Sequence, residues 1–418
     1  MLNQKPIYFL PTPHYKTNTI LIRFIQPFEP KQVNERVLLP QVLLSGSRDF
    51  PSKQAIQYQS DVLYGSDIQA HITRVGNTSI TIFQISFLQQ RFVKEPNFYD
   101  QILAFLHSMI FRPRLFQNRL IKKTIEQERR LLKENLQAVY NDKLEYSFQR
   151  FREHMFQNES YATPESGVLA TLHHVSQASM QQCYNDLINH SFVEIDLSGS
   201  QDLEQWIPKI ETLFQPTKPY VSFQWVDREM SNRSEVQQIK ETLPIKQSRL
   251  YLGYRTQTYI NDEDALALRV LNVMLGDFDQ SFLFQVIREQ LHLAYYVQSS
   301  LFLGKGFISI MAGIDPSKAQ MALENIQAIV AKIQSGDFSD EDIALAKNYL
   351  AEQEQRAMDM PGAQMHRHFI HRHIFHQPYS IQTFFEQLFV IHRDEIKRVA
   401  NKLKLDTIYL LTEDEHDQ

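Results

Sequence analysis

The chain has 418 residues, of which 43% are hydrophobic and 22% charged, so it is long enough to form at least two globular domains. Its formal net charge of -5 provides no general basic field for nucleic acid or for an anionic membrane surface. The single cysteine, Cys183, excludes an intrachain disulfide and every zinc site that needs two thiolates.

Neither a secretion signal nor a membrane span is predicted. The first residues lack a basic start followed by an apolar run, and no segment approaches the roughly 20 apolar residues of a membrane span. We therefore expect a cytoplasmic protein. The chain has 12 glycines and no Gly-rich phosphate-binding loop, so nucleotide chemistry is not expected.

The first half of the chain contains strand and helix patterns in a definite order. Strand patterns alternate apolar and polar residues, whereas helix patterns repeat apolar residues every three or four positions. The predicted strands lie at residues 18–24, 79–87 and 192–199. The predicted helices lie at residues 36–46, 96–110 and 119–137. A basic, aromatic segment at residues 144–156 predicts an amphipathic helical face and no nucleic-acid platform.

The second half repeats this order. Its predicted strands lie at residues 248–256, 307–314 and 407–413, and its predicted helices at residues 265–277, 318–334 and 339–358. The last helix opens with Ser339 and Asp342 at the spacing of a capping box. Gly46 and Gly276, which end the first helix of each half, are 230 positions apart. Ile68 and Val297, which follow later in the two halves, are 229 positions apart. Because these two offsets nearly agree, the sequence predicts an internal duplication.

These patterns predict an α+β fold of two duplicated domains, each an antiparallel-rich mixed sheet with helices packed on one face. We place the N-terminal domain at residues 1–215 and the C-terminal domain at residues 241–418. The segment between them, residues 216–240, is rich in Pro, Ser, Asn and charged residues and is predicted to be a linker.

One stretch of the second half carries a family resemblance. The sequence FQVIREQLHLAYYVQSS, residues 284–300, resembles the second-domain signature of the insulinase and mitochondrial-processing-peptidase family of zinc peptidases, the inverzincins. In that signature an arginine precedes a tyrosine by seven positions, and here the pair falls on Arg288 and Tyr295. Together with the duplication, the resemblance covers nearly the whole chain.

The resemblance implies that Arg288 and Tyr295 bind substrate, with the guanidinium and the phenol donating hydrogen bonds to peptide oxygens. If the segment is one helix, a spacing of seven places both side chains on the same face. A plainer alternative is that Arg288 pairs with an acidic neighbour while Tyr295 packs in the core.

Peptide-cutting members of the family carry H-x-x-E-H on the first helix, where two imidazoles hold zinc and the glutamate activates water. The resemblance aligns those five positions with Val37, Leu38, Leu39, Pro40 and Gln41. Valine offers the metal no lone pair, proline has no carboxylate, and glutamine has only a neutral amide. The sequence therefore predicts no bound zinc, no catalytic residue and no cofactor.

The family's third zinc ligand is a glutamate on a later helix, in a phrase with two acidic ends. The resemblance aligns the two ends with Glu128 and Asn135, so the ligand position also becomes an amide. Glu134 stands next to Asn135, which leaves this part of the alignment open.

The resemblance implies a pseudo-peptidase subunit that binds peptide and forms a heterodimer with a zinc-bearing paralogue, together enclosing a peptide-binding chamber. A homodimer is an alternative for the chain alone. The signature is similar to that of a bacterial non-catalytic branch associated with the 5-aminopentanol modification of elongation factor P.

Two other functions stay open. Five histidines lie close together at His366, His368, His371, His373 and His376. On a helix they form i, i+3 pairs that a transition metal can bind, which would give an active metallopeptidase with a relocated metal site. The absence of Asp and Glu from this stretch favours a solvated or interface face. The third hypothesis is a purely structural subunit of a larger complex.

Overall fold

The computed structural model describes residues 6–12, 14–215, 223–231, 233 and 235–413. The chain divides into two compact units, and neither is contiguous in sequence. The first unit comprises Met1–Tyr140 and Thr163–Gln224, and the second comprises Asn141–Ala162 and Trp225–Gln418. The sequence predicted contiguous halves instead, and the reason for the difference lies in residues 141–162, which pack on the second sheet.

Two five-stranded sheets and one short hairpin contain the strands of the described residues. The strands are β1 (Ile7–Pro11), β2 (Thr17–Pro27), β3 (Asp67–Val75), β4 (Thr78–Leu88), β5 (Leu115–Phe116), β6 (Arg119–Leu120), β7 (Phe192–Gly199), β8 (Gln237–Thr242), β9 (Ser248–Arg255), β10 (Ala294–Phe302), β11 (Phe307–Ile314) and β12 (Lys404–Thr412). Strand β8 begins inside the predicted linker, while residues 216–222 of that linker lie outside the described residues.

The α-helices are α1 (Val33–Leu44), α2 (Lys53–Val62), α3 (Phe98–Phe111), α4 (Lys122–Val139), α5 (Lys143–Met155), α6 (Gln177–His190), α7 (Ile207–Phe214), α8 (Ala265–Gly276), α9 (Ala319–Ser335), α10 (Asp340–Met358), α11 (Pro361–Ile370), α12 (Ile381–Phe389) and α13 (Arg393–Ala400). π-Helical turns lie at Phe284–Gln290 and His371–Phe375. Short 3-10 helices lie at Pro30–Gln32, Gln90–Phe92, Ser160–Ala162, Leu169–His174, Gln201–Trp206 and Pro316–Lys318.

The two large sheets have the same topology. The first has the strand order β1-β7-β2-β4-β3, and the second has the order β8-β12-β9-β11-β10 when read from the equivalent edge. In each sheet the first pair is parallel and the other three pairs are antiparallel. The predicted α+β fold with two antiparallel-rich mixed sheets is confirmed.

Helices cover one face of the first sheet. Alternate residues of a strand point to opposite faces, so the core face of β2 carries Ile20, Ile22 and Phe24. These side chains belong to one buried cluster with apolar residues of α1, α3 and α6. Burial of this apolar face of the sheet therefore stabilises the first unit.

Both faces of the second sheet are covered. On β9, Leu250 and Leu252 point to the cluster that contains α8, α9 and α13, whereas Tyr251 points to a second cluster on the other face. That second cluster contains Phe151 and Met155 of α5, which the chain reaches before it has completed the first unit.

Among the residues that the structure describes, none of the helices combines the length and apolarity needed to span a bilayer. The predicted capping box at the start of α10 is present, because Ser339 Oγ accepts from the Asp342 N–H at 3.1 Å and the Asp342 carboxylate accepts from the Ser339 N–H at 2.7 Å.

Candidate functional site

The helix that carries the degenerate zinc motif is intact. Helix α1 continues through Pro40, and Leu38 and Leu39 are each 1% exposed in the core of the first unit. Val37 is half-buried and Gln41 is exposed, one helical turn apart. The Gln41 Nε2 donates to the Ala70 carbonyl of β3 at 3.3 Å. The helix therefore packs in the core of the first unit, and Gln41 joins it to the sheet through this hydrogen bond.

A buried carboxylate near the end of α1, that of Glu128, is paired within the chain. Glu128 on α4 is 5% exposed and accepts hydrogen bonds from Ser45 Oγ at 2.7 Å and Lys53 Nζ at 2.8 Å. Asn135, seven residues further along α4, is exposed. Lys53 thus supplies a positive charge to the buried carboxylate from within the chain.

The side chains at these positions do not fit a zinc ion. A peptidase zinc site needs three protein ligands that donate a basic nitrogen or a charged oxygen. Val37 and Pro40 have no donor atom in their side chains, and Gln41 and Asn135 have neutral amides. In the described part of the chain, no group of three or more His, Cys, Asp and Glu side chains is arranged to hold a metal ion.

Arg288 lies in the π-helical turn Phe284–Gln290, where the Leu291 N–H bonds to the Val286 carbonyl five residues earlier. Its guanidinium carbon lies 4.7 Å from the centre of the Phe284 ring, and its Nε is 3.6 Å from the Glu289 carboxylate. The arginine side chain is 44% exposed. Inserted π-helical turns occur often at functional sites, because they redirect a side chain without ending the helix.

Tyr295 lies on strand β10 at a β-bulge. Ala294 pairs with Ile314 and Tyr296 pairs with Gly313, so Tyr295 is the extra residue of the pair. Ala294 and Val297 both point into the α8 cluster although they are three positions apart, which a regular strand does not allow. The bulge leaves the Tyr295 side chain 65% exposed.

The expectation that Arg288 and Tyr295 share the face of one helix is wrong. The helical turn ends at Gln290 and strand β10 starts at Ala294, because residues 293, 294 and 297 are needed in the core. The plainer alternative also fails for Tyr295, which does not pack in the core. It holds in part for Arg288, which has an acidic neighbour at 3.6 Å. Sequence reasoning missed the bulge, although two buried residues spaced three apart were its signal.

The histidine cluster is divided between α11 and the π-helical turn that follows it. The predicted i, i+3 pairs, His368 with His371 and His373 with His376, each include a residue beyond the end of α11, so regular α-helical spacing does not apply to them. His368 and His371 both contact the ring of Tyr379, with centroid distances of 5.6 and 4.9 Å.

His373 packs between Phe369 and Trp225. Burial lowers the pKa of His368 and of His371, and the nearby Arg372 lowers the former further. His371 also lies against the ring of Phe375, so these three histidines pack against aromatic side chains.

Comparisons with known proteins agree with these observations. A family model described as the Peptidase M16 inactive domain matches residues 174–350. The chain is 28% identical over 409 residues to the probable inactive metalloprotease YmfF of Bacillus subtilis (strain 168), covering 97% of this chain and 95% of that protein. It is 22% identical over 254 residues to the uncharacterized zinc protease YmxG of the same organism, covering 59% of each.

A crystal structure of a conserved protein from Enterococcus faecalis V583 superposes with a TM-score of 0.89. The sequence identity is 24%, and the alignment covers 99% of this chain and 97% of that one. This likeness confirms the fold. Together, the comparisons show that the chain is similar to an M16 inactive domain and to a probable inactive metalloprotease. The side chains of Val37, Pro40 and Gln41, which offer no basic zinc ligand, are consistent with that similarity.

Proposed function

We propose that this chain is the non-catalytic, peptide-binding subunit of a heterodimer whose other subunit is a zinc-bearing paralogue. The observation that carries the proposal is a contrast between two sites. The positions for zinc on α1 have lost their ligands, whereas Tyr295 is held out of the core on a bulged strand. A chain that has lost catalysis but still presents this tyrosine is suited to binding substrate.

The chemistry of the clamp fits a peptide main chain. A guanidinium and a phenol both donate hydrogen bonds, and peptide carbonyls accept them. The Arg288–Glu289 ion pair is exposed on both sides, so it stabilises the chain by about 0–1 kcal/mol. A peptide carbonyl can therefore replace this partner at small cost.

Two relatives support a catalytic partner. One and the same organism encodes a probable inactive metalloprotease and a zinc protease that both resemble this chain. In the heterodimer that we propose, peptide binding and metal chemistry are divided between two such chains. The proposal places this pair in the cytoplasm, and the resemblance of the signature alone links it to elongation factor P modification.

Reconstitution with the partner tests the proposal. The partner is the paralogue with an intact H-x-x-E-H encoded in the same genome, and cleavage is measured with a pool of quenched-fluorescent peptides of random sequence. We expect activity only from the mixture. Arg288→Ala and Tyr295→Phe should each lower kcat/KM by on the order of 10²-fold, because each removes a hydrogen-bond donor to the reacting peptide.

Two exposed residues outside the clamp give matched controls. Arg356→Ala and Tyr58→Phe change side chains that are largely exposed and should leave cleavage unchanged. Unchanged cleavage in Arg288→Ala and Tyr295→Phe would instead favour a purely structural subunit. Chelator-sensitive cleavage by this chain alone, lost in His368→Ala with His371→Ala, would favour the relocated metal site.

A further inference from the structure

Three residues stand in one row across the second sheet. Tyr296 on β10 pairs with Gly313 on β11, and Gly313 pairs with Arg249 on β9. Tyr296 packs against the cluster that includes Phe151 of α5, which identifies the sheet face of its side chain. The row therefore lies on the face that α5 covers and ends at the edge strand that carries the bulge.

Gly313 is where the ring of Tyr296 rests. A Cβ atom built at Gly313 would lie 2.3 Å from Cε1 and Cζ of Tyr296, far inside van der Waals contact. The guanidinium carbon of Arg249 lies 5.2 Å from the centre of the same ring. An aromatic ring that covers a glycine on the neighbouring strand is a device that pins the register of a sheet.

The register at Tyr296 decides where Tyr295 points. With Tyr296 seated on Gly313 and Ala294 paired with Ile314, one residue remains for the bulge, and that residue is Tyr295. A slip of one position would exchange the faces of the following side chains, including buried Val297. The contact of Tyr296 with Gly313 and the burial of Ala294 and Val297 therefore require the same bulge at Tyr295.

We propose that Arg249, Tyr296 and Gly313 form a positioning device that holds the β10 bulge and thereby aims the Tyr295 side chain at a bound peptide. These three residues do not contact the peptide themselves and influence its binding only by fixing the direction of the Tyr295 side chain. The peptide part of this inference rests on the proposed function, whereas the positioning part does not.

Fluorine NMR tests the positioning part without any ligand. The probe is Tyr295→4-trifluoromethylphenylalanine in the full chain, which gives one resonance from an exposed site. We expect Gly313→Ala to displace this resonance by more than its linewidth, because the new methyl group occupies the seat of the Tyr296 ring. Tyr296→Ala, which adds no clash, should displace it as well.

Two variants should reproduce the parent resonance. Tyr296→Phe keeps the ring and removes a buried hydroxyl oxygen that has no hydrogen-bond partner among the described residues. Gly362→Ala adds a methyl group on α11 that, among the described residues, meets no heavy atom within 4 Å apart from the glycine itself, its chain neighbours and the backbone of its own helix. A folded Gly313→Ala protein with the parent resonance would overturn the proposal. If that variant does not fold, the parent resonance in Tyr296→Ala would overturn it equally.

Peptide binding is measured separately, on chains that retain Tyr295, with a pool of fluorescein-labelled random peptides. We expect Gly313→Ala to weaken binding as much as Tyr295→Ala does, and Tyr296→Phe to bind as the parent does. If Tyr295→Ala binds as the parent does while the fluorine resonance still moves in Gly313→Ala, the proposed function fails and the positioning role stands. Undiminished binding in Gly313→Ala, with binding lost in Tyr295→Ala, would contradict the inference itself.

Discussion

A buried ionic cluster holds distant segments of the second unit together. The side chain of Lys305 is 0% exposed, and its Nζ lies 2.7 Å from the Glu159 carboxylate and 3.0 Å from that of Asp227. Arg255 donates to both oxygens of Glu159 at 2.7 and 3.2 Å. The cluster ties the turn after α5 to the β10–β11 turn and to the end of β9. The positive charges of Lys305 and Arg255 together compensate the negative charges of Glu159 and Asp227.

Removing one cation should therefore be costly. Lys305→Met is expected to lower the free energy of unfolding of the second unit by about 3–5 kcal/mol, because it removes the buried ammonium that Glu159 and Asp227 share and leaves the cluster with one less positive charge. Urea unfolding is followed by the fluorescence of Trp225, in a Trp206→Phe background that removes the other tryptophan. Lys332→Met, which removes an ammonium outside this cluster, is the control, and an equal effect of both changes would contradict the argument.

The same cluster predicts a dependence on pH. Burial alone would raise the pKa of Glu159, but hydrogen bonds from Arg255 and Lys305 outweigh it and lower the pKa to about 2. An unfolded glutamate titrates near pH ~4.3, so the carboxylate stabilises the fold by ~3 kcal/mol above that pH. This contribution is lost as the pH falls from about 5 towards 2.

Glu159→Gln should flatten the stability of the second unit over this pH window relative to the parent. Some slope will remain, because burial of Glu241 is likewise outweighed by hydrogen bonds from Arg150 and His154, which lower its pKa to about 2. Urea midpoints measured by Trp225 fluorescence at several pH values give the comparison. Parallel pH profiles of parent and variant would show that Glu159 does not contribute.

Single side chains were predictable where their chemistry alone decided the outcome. Metal ligation needs particular atoms, so that the side chains of Val37 and Pro40 offer a metal no donor atom, and that of Gln41 only a neutral amide, follows from the sequence without any structure. The ionic cluster was not readable, because Glu159 and Lys305 are remote in sequence and become neighbours only through the fold.

At the level of elements, α5 is the part of the fold that sequence patterns placed least well. Its amphipathic pattern predicted a helix, which is present as Lys143–Met155. A pattern of period 3.6 shows which face of a helix is buried but carries no information about the sheet that covers it. The sheet on which α5 packs is selected by complementary shape. Gly253 on β9 provides this shape, because it has no side chain and lets α5 come close. A Cβ at Gly253 would lie 2.5 Å from the Met155 sulfur and 2.8 Å from the Phe151 ring.

This close approach predicts a specific steric effect. Gly253→Ala should destabilise the second unit by about 1–3 kcal/mol, because the methyl group overpacks the contact with α5. Adding Met155→Ala should recover part of this loss by removing the sulfur, which a double-mutant cycle in urea measures as a coupling energy. Gly362→Ala is again the control, and strict additivity of the two changes would exclude the contact as the cause.

The other strands were predicted where their sequence pattern is local and were missed where they depend on tertiary contacts. The strands Phe192–Gly199 and Phe307–Ile314 coincide with the predicted ones, since their apolar patterns are strong and local. Strands β1 and β8 were missed because they are short edge strands, paired on one side only. Strand β10 was not among the predicted strands, since the π-helical turn before it and its bulge depend on contacts with the rest of the second unit.

At the scale of the whole molecule, the two halves share the same sheet topology but differ in the helices that pack on the sheets. Both sheets have one parallel edge pair and three antiparallel pairs in the same order, as the 230-residue offset predicted. The second sheet receives α5 from the first half of the chain, so the boundary between the halves in sequence differs from the boundary between the compact units.

Hydrogen exchange of the intact chain tests whether α5 behaves as part of the second unit. Amides exchange through opening of the cooperative unit to which they belong, so helices of one unit should respond together to a local destabilisation. Lys305→Met should accelerate exchange in α5 together with β9 and β12, while α4, which lies next to α5 in sequence, keeps its parent rate. The opposite grouping, with α5 following α4, would place α5 in the first unit. Only residues 140–142 separate α4 from α5. Different exchange responses of these two helices would therefore mean that a boundary between units can fall within a turn shorter than the predicted linker.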